Sequence, residues 1–183
     1  MTGGTDEPAI AEPIVLVGLM GSGKTSVGTR LAAALGRQFR DSDWGLEAEY
    51  GQTAAEQVAR YGADVLHERE AAVVRKGLAA RPPAVIAAAA SVVEDPATRA
   101  ALGNAYVIWL DAPPAVLAAR IGPGGDHRPH YHPDPVVMLT RQREQRARWF
   151  QQVADLVVDV SEIDPDAVTE RILAALRRTA ADR

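Results

Sequence analysis

The stretch Gly18-Leu19-Met20-Gly21-Ser22-Gly23-Lys24-Thr25 constrains this chain more than any other, because it matches G-x-x-x-x-G-K-[ST] at every fixed position. Its flanks suit it. The β-branched run 14–17 predicts a buried strand, and residues 24–35 place Val27, Leu31 and Leu35 at helical spacing before Gly36 ends the helix. Between a strand and a helix, glycines let the backbone curl so that successive N–H groups point inward, and the helix N-terminus adds its positive dipole end. Such a cradle takes a nucleotide phosphate. Lys24 supplies a full charge to the β- and γ-phosphates, Ser26 lies on the first helical turn beside them, and the Thr25 hydroxyl is a magnesium ligand. A glycine-rich turn with an incidental lysine would share some of these letters, but not all of them with both flanks in place.

The rest of the chain repeats the strand–helix alternation. Apolar runs at 84–88, 106–110 and 156–160 predict buried strands. Helical spacing covers 53–61, 65–78, 96–102, 114–120, 135–150 and 165–178, several of these opening on proline, whose missing N–H costs nothing in a first turn. This alternation predicts an α/β fold with a parallel sheet covered on both faces. One domain is expected over 13–179, with a flexible tail at 1–12, a frayed end at 180–183, and an exposed loop at about 121–135 dense in Gly, Pro and His. A net charge of −4 gives no support to a nucleic-acid binder, no apolar run is long enough to cross a bilayer, and the absence of cysteine excludes a thiolate nucleophile or a disulfide framework. The N-terminus lacks the basic start and apolar run of a secretory signal, so a cytoplasmic location is the default expectation.

Phe39-Arg40-Asp41-Ser42-Asp43 should lie at a strand end beside the glycine-rich loop. Alternation along an extended chain would put Asp41 and Asp43 on one side, where one could hold water on magnesium and the other could orient an acceptor hydroxyl and take its proton. A solvated turn in which Asp43 caps a helix starting near Trp44 explains the same residues equally well.

From Ile14 to about Leu176 the chain resembles the shikimate kinase family. The resemblance is carried by the glycine-rich loop, then Phe39-x-Asp41-x-Asp43, Leu46-Glu47 and Gly51, Gly62 to Glu70, Trp109-Leu110 with Arg120, Arg128-Pro129, Arg146 before Val153-Ala154-Asp155, and Asp164-Pro165. It implies a three-layer α/β sandwich of the P-loop kinase type, with a five-stranded parallel sheet and a mobile lid at about 121–135. It also implies a monomer that transfers a phosphoryl group from ATP with Mg2+ to a hydroxyl of a small carboxylated cyclic polyol, converting shikimate to shikimate 3-phosphate. ATP would rest on Gly21, Ser22, Gly23, Lys24, Thr25 and Ser26, with Arg120 and Pro165 against adenine. Lys24 and Arg128 would neutralise charge on the transferred group, Asp43 would act as base, Asp41 would stand behind the magnesium, and Arg146 would pair with the substrate carboxylate. Taken alone, Arg141-Gln142-Arg143-Glu144-Gln145-Arg146-Ala147-Arg148 reads as a solvated basic helix face, and Arg128 as a loop arginine.

Two departures from the family pattern fall in the acceptor pocket. Ala89-Ala90-Ser91 stands where the family has three glycines, so the turn must take another path or present a narrower floor. Leu66-His67 stands where the family has Phe-Arg, and the loss of that arginine's charge-assisted bond costs about 1.5–3 kcal/mol. Arg69 is no replacement, because two residues along a helix turn the side chain by roughly 200°. Three readings follow: a shikimate kinase with a repacked pocket, a kinase of the same fold for another hydroxylated metabolite such as a cyclitol or sugar acid, or a silent nucleotide-binding regulatory module. Retention of Asp43, Arg128 and Arg146 argues against the last. His127, His130 and His132 read as loop residues facing water or nucleotide rather than as a zinc site, having only Asp126 and Asp134 beside them.

Overall fold

Five short strands, β1 (Ile14–Val17), β2 (Phe39–Asp41), β3 (Val85–Ala87), β4 (Tyr106–Asp111) and β5 (Leu156–Asp159), form one sheet in the order β2-β3-β1-β4-β5. Every pairing is parallel, with Ile14 opposite both Val85 and Tyr106. The computed structural model describes residues 10–121, 133–162 and 164–181. Among them the helices are α1 (Lys24–Ala34), α2 (Ser42–Tyr50), α3 (Ala54–Tyr61), α4 (Ala63–Leu78), α5 (Pro96–Leu102), α6 (Pro114–Ile121), α7 (Pro135–Val153) and α8 (Pro165–Ala181).

The three central strands, β3, β1 and β4, read as apolar runs because both faces of the sheet are covered there. β1, Ile-Val-Leu-Val, is wholly buried at the centre. Helices α1 and α8 pack together on the sheet as one group. A second group of α4, α5 and α7 is tied together through a 3-10 segment, Ala90–Glu94, that directly follows β3. The crossover from β1 leads to β2 on one side of it, whereas that from β3 passes to β4 on the other, and a crevice opens beyond the strand ends where the direction changes. A smaller apolar cluster of Leu46, Ala54 and Leu66 fastens α2 to α3 and α4, which fixes the segment after β2.

Several expectations are corrected at their edges. Ile10 belongs to the core rather than to a tail, and Arg37 donates to the carbonyls of Ile10 and Glu12. Helix α8 continues through Ala180 and Ala181 instead of fraying there. The predicted strand at 84–88 is hydrogen-bonded as a strand only over Val85–Ala87, and α7 runs three residues past its predicted end, to Val153. The 3-10 segment carries no periodic signal in the sequence. Most of the predicted lid lies outside the described residues, which resume at Pro133 after Ile121.

Candidate active site

The glycine-rich loop wraps the C-terminal end of β1 as its sequence demands. Gly18 has φ +142°, and a Cβ there would sit 2.4 Å from the Leu110 carbonyl oxygen, so close passage over β4 requires glycine. Gly21, with φ +81°, is equally confined, since a Cβ would approach the Leu117 carbonyl to 2.6 Å. The loop is thus clamped between β4 and α6. Lys24 opens α1 and turns its Nζ back onto the carbonyls of Gly18 at 2.9 Å and Leu19 at 3.0 Å, holding the cationic head over the cradle.

The two acidic residues after β2 are placed differently from the expected alternation. β2 ends at Asp41 and α2 begins at Ser42, so Asp43 lies in a first helical turn, not on an extended chain. The helix cap is Asp41, not Asp43: Asp41 Oδ1 accepts from the Asp43 amide at 2.9 Å. Its other oxygen, Oδ2, accepts from the Thr25 hydroxyl at 2.7 Å. Asp41 is buried, while Asp43 is partly exposed. The two carboxylates therefore take separate positions, one behind the Thr25 hydroxyl and one on the first turn of α2.

Both line a cavity of about 590 Å³ together with Gly21, Ser22, Gly23, Lys24, Thr25 and Ser26. The far wall is built from Arg120 at the end of α6 and Pro165 at the start of α8, with Asp164, Val160 and Val168 beside them. Arg120 donates to the carbonyls of Val160 at 2.6 Å and Ser161 at 3.0 Å, which pins the guanidinium against the loop after β5. The floor is Ala87 and Ala88. Buried Ser22 and Ser42 hydroxyls, both on residues that line this cavity, have no hydrogen-bond partner among the described residues. Reading the sequence did not single out Ser42; its only signal was a hydroxyl between two acids.

Thr25 and Asp41 fit a magnesium ion bound to a nucleotide phosphate. Mg2+ keeps several waters and takes few protein ligands, so one hydroxyl with a carboxylate behind it is a suitable donor set. No group of three or more His, Asp or Glu able to hold a metal by itself occurs among the described residues.

The expected acceptor side is built from α4, the 3-10 segment and α7, and its residues do not line that cavity. Ala89 has φ −57°, and no non-glycine residue among those described has positive φ, so the chain passes the family's triple-glycine position by an ordinary path into the 3-10 segment. Ala89, Ala90 and Ser91 are buried. The Ser91 hydroxyl donates to the carboxylate of Glu70, a buried acid on α4. His67 is partly buried on the same helix. Arg69 faces elsewhere, stacked on the rings of Tyr50 and Tyr61 at 4.4 and 4.6 Å and bonded to Gln57.

Arg146 overturns the reading of a solvated basic face. Only 6% of it is exposed, and its Nε donates to the Glu94 carboxylate at the end of the 3-10 segment. Arg143, one turn earlier, also faces inward, to the Asp111 carboxylate at the end of β4, and that hydrogen bond raises its pKa above the ordinary arginine value. Glu94 was not anticipated; Glu94-Asp95-Pro96 looks in sequence like a helix cap, and Asp95 does cap α5. Arg128, His127, His130 and His132 lie outside the described residues.

The family model for shikimate kinase matches residues 20–177. A shikimate kinase of Paramagnetospirillum magneticum is 38% identical over 169 residues, covering 91% of this chain and 85% of that protein. Among solved structures, shikimate kinase from Acinetobacter baumannii in complex with shikimate superposes with a TM-score of 0.86 at 26% identity, covering 93% of this chain and 95% of that one. A gluconokinase from Sinorhizobium meliloti shares the fold with a TM-score of 0.69 at 25% identity, over 94% of this chain and 95% of that one. With the match spanning the phosphate cradle, both carboxylates and the helices around them, this chain belongs to the shikimate kinase family, whose members are ATP-dependent kinases.

Proposed function

We propose that this protein transfers the γ-phosphoryl group of ATP, with Mg2+, to a ring hydroxyl of shikimate, giving shikimate 3-phosphate and ADP. The observation that carries this reading is the single cavity shared by the phosphate cradle Gly21–Ser26 and the carboxylates of Asp41 and Asp43. The nucleotide lies along that cradle, its base between Arg120 and Pro165. Mg2+, for which the Thr25 hydroxyl with Asp41 behind it is the fitting donor set, would supply positive charge against that developing on the phosphates.

The chain's own residues do the rest. Thr25 presents its hydroxyl to the metal, and Asp41 orients that hydroxyl. Asp43 accepts the proton of the acceptor hydroxyl as the new oxygen–phosphorus bond forms and the bond to ADP breaks. Lys24 and, by family resemblance, Arg128 stabilise the charge on the transferred group. Arg146 receives the acceptor's carboxylate. We place the protein in the cytoplasm as a monomer; no helix among the described residues is long and apolar enough to cross a membrane.

The test is ADP release by the purified protein with ATP and Mg2+, titrated with shikimate and with a panel of cyclitols and sugar acids. Saturable shikimate-dependent turnover is expected. Turnover with a sugar acid but not with shikimate would replace the acceptor while leaving the kinase reading in place. The structural likeness to a gluconokinase is the reason to include sugar acids.

A further inference from the structure

We infer that Glu94 is a specificity-determining residue that screens Arg146, so that this site discriminates weakly between a carboxylated acceptor and its neutral counterpart. The inference rests on the reading of Arg146 as the group that receives the acceptor's carboxylate.

A guanidinium cannot shed its charge, so one that is only 6% exposed needs a counter-charge inside the protein. Glu94, 52 positions away in sequence, supplies it through Arg146 Nε. Among the described residues the two terminal nitrogens of Arg146 have no acceptor, which leaves one edge of the fork able to take a second carboxylate. That second carboxylate would meet a pair of zero net charge, not a lone cation. It would also lie beside the Glu94 carboxylate in a partly desolvated place.

The surrounding residues do not restore the lost attraction. His67 carries no guanidinium, Arg69 is held between two tyrosine rings, and Arg143 is held by Asp111. The Glu70 carboxylate stands on the adjoining helix, against Ser91 at the other end of the same 3-10 segment. Arg99 lies close by, but its guanidinium donates to the carbonyls of Val93 and Glu94 and stacks on Trp149. With Arg146 already paired to Glu94, the acceptor is gripped by its hydroxyls more than by its carboxylate.

The experiment measures dissociation constants by titration calorimetry with Mg2+ and ADP present, using shikimate and shikimate methyl ester, its neutral counterpart. The steric cost of the methyl group is common to all variants, so changes in the ratio report the charge term. The wild-type protein is expected to bind the two within about threefold of each other, whereas a site with an unscreened arginine would separate them by about a hundredfold. Glu94→Gln keeps an oxygen acceptor for Arg146 Nε while removing the charge; it is expected to tighten shikimate about tenfold and leave the ester unchanged. Glu94→Asp, which keeps the charge and retracts it, preserves the test if the glutamine variant does not fold, and is expected to give a smaller change in the same direction.

A wild-type preference for shikimate near a hundredfold, or unchanged shikimate binding in both variants, overturns the inference. Arg146→Ala separates the two possible failures. If it weakens shikimate binding while the Glu94 variants do nothing, the screening role alone is wrong. If it changes nothing, or if shikimate binds no form of the protein that still binds ADP, the reading beneath it is wrong as well.

Discussion

The Thr25 hydroxyl and the Asp41 carboxylate meet at 2.7 Å, joining the first residues of α1 to the end of β2. Asp41 uses its remaining oxygen to cap α2. One side chain therefore sets both the orientation of the hydroxyl proposed to bind the metal and the start of the helix that carries Asp43. Asp41→Asn separates these duties, because asparagine caps as well as aspartate but brings no charge. The variant is expected to keep its melting temperature within a few degrees and to raise the Mg2+ concentration for half-maximal activity about tenfold. A magnesium titration at fixed ATP reads this directly.

Asp43→Asn removes the proposed proton acceptor from a first-turn position outside the hydrophobic core. Turnover is expected to fall by about 10²–10⁴, with the melting temperature and ATP affinity little changed. Steady-state kinetics with saturating shikimate distinguishes this from a binding defect. A wild-type rate in the purified variant would remove Asp43 from the chemistry.

Lys24→Ala should act on the nucleotide side. Its Nζ is held over the loop by two carbonyls rather than packed in the core, so the fold should survive. ATP binding is expected to weaken and turnover to drop by about 10²-fold or more, read by nucleotide titration alongside the rate.

Gly21→Ala tests the clamp between the loop and α6. With φ at +81° and the Leu117 carbonyl 2.6 Å from the new Cβ, the backbone must shift to accept a methyl group. A loss of about 1–3 kcal/mol in denaturant unfolding is expected, together with weaker nucleotide binding.

Asp95, which follows Glu94 and caps α5, gives a pH dependence of stability. Burial pushes its carboxyl up, but bonds from the Thr98 hydroxyl and amide and the nearby Arg75 guanidinium outweigh this and hold its pKa below the ordinary value. A carboxylate whose pKa is depressed on folding contributes stability above its unfolded pKa, and that contribution is lost as pH falls through the folded value. Urea unfolding from pH 7 down to pH 3 should therefore show a shallower acid loss in Asp95→Asn than in the wild type.

The phosphate cradle was legible because its chemistry is contiguous. The turn, its glycines, its lysine and its hydroxyl occupy adjacent positions, and local backbone sterics oblige that sequence to curl in one way. The helix starts at Pro96, Pro114, Pro135 and Pro165 were legible for a similar reason, since proline fixes φ and lacks a donor that a first turn does not need. Buried apolar runs likewise announced the central strands, because a parallel sheet covered on both faces needs no alternation.

What lay beyond the sequence was pairing at a distance. Asp41 and Asp43 were expected to share one side of a strand; they separated because capping by Asp41 starts α2 one residue later. Arg146 belongs by local pattern to a basic helix face, yet α7 turns it inward to a glutamate 52 residues earlier in the chain. Ser91 finds Glu70 across 21 residues. No periodicity encodes such contacts, because they depend on strand order and on which helix faces the 3-10 segment after β3. By itself the sequence determined the nucleotide site and the α/β alternation, whose causes are local. Only the tertiary structure decided which charges meet beyond it, since a buried charge takes the partner that the packing of distant elements brings to it.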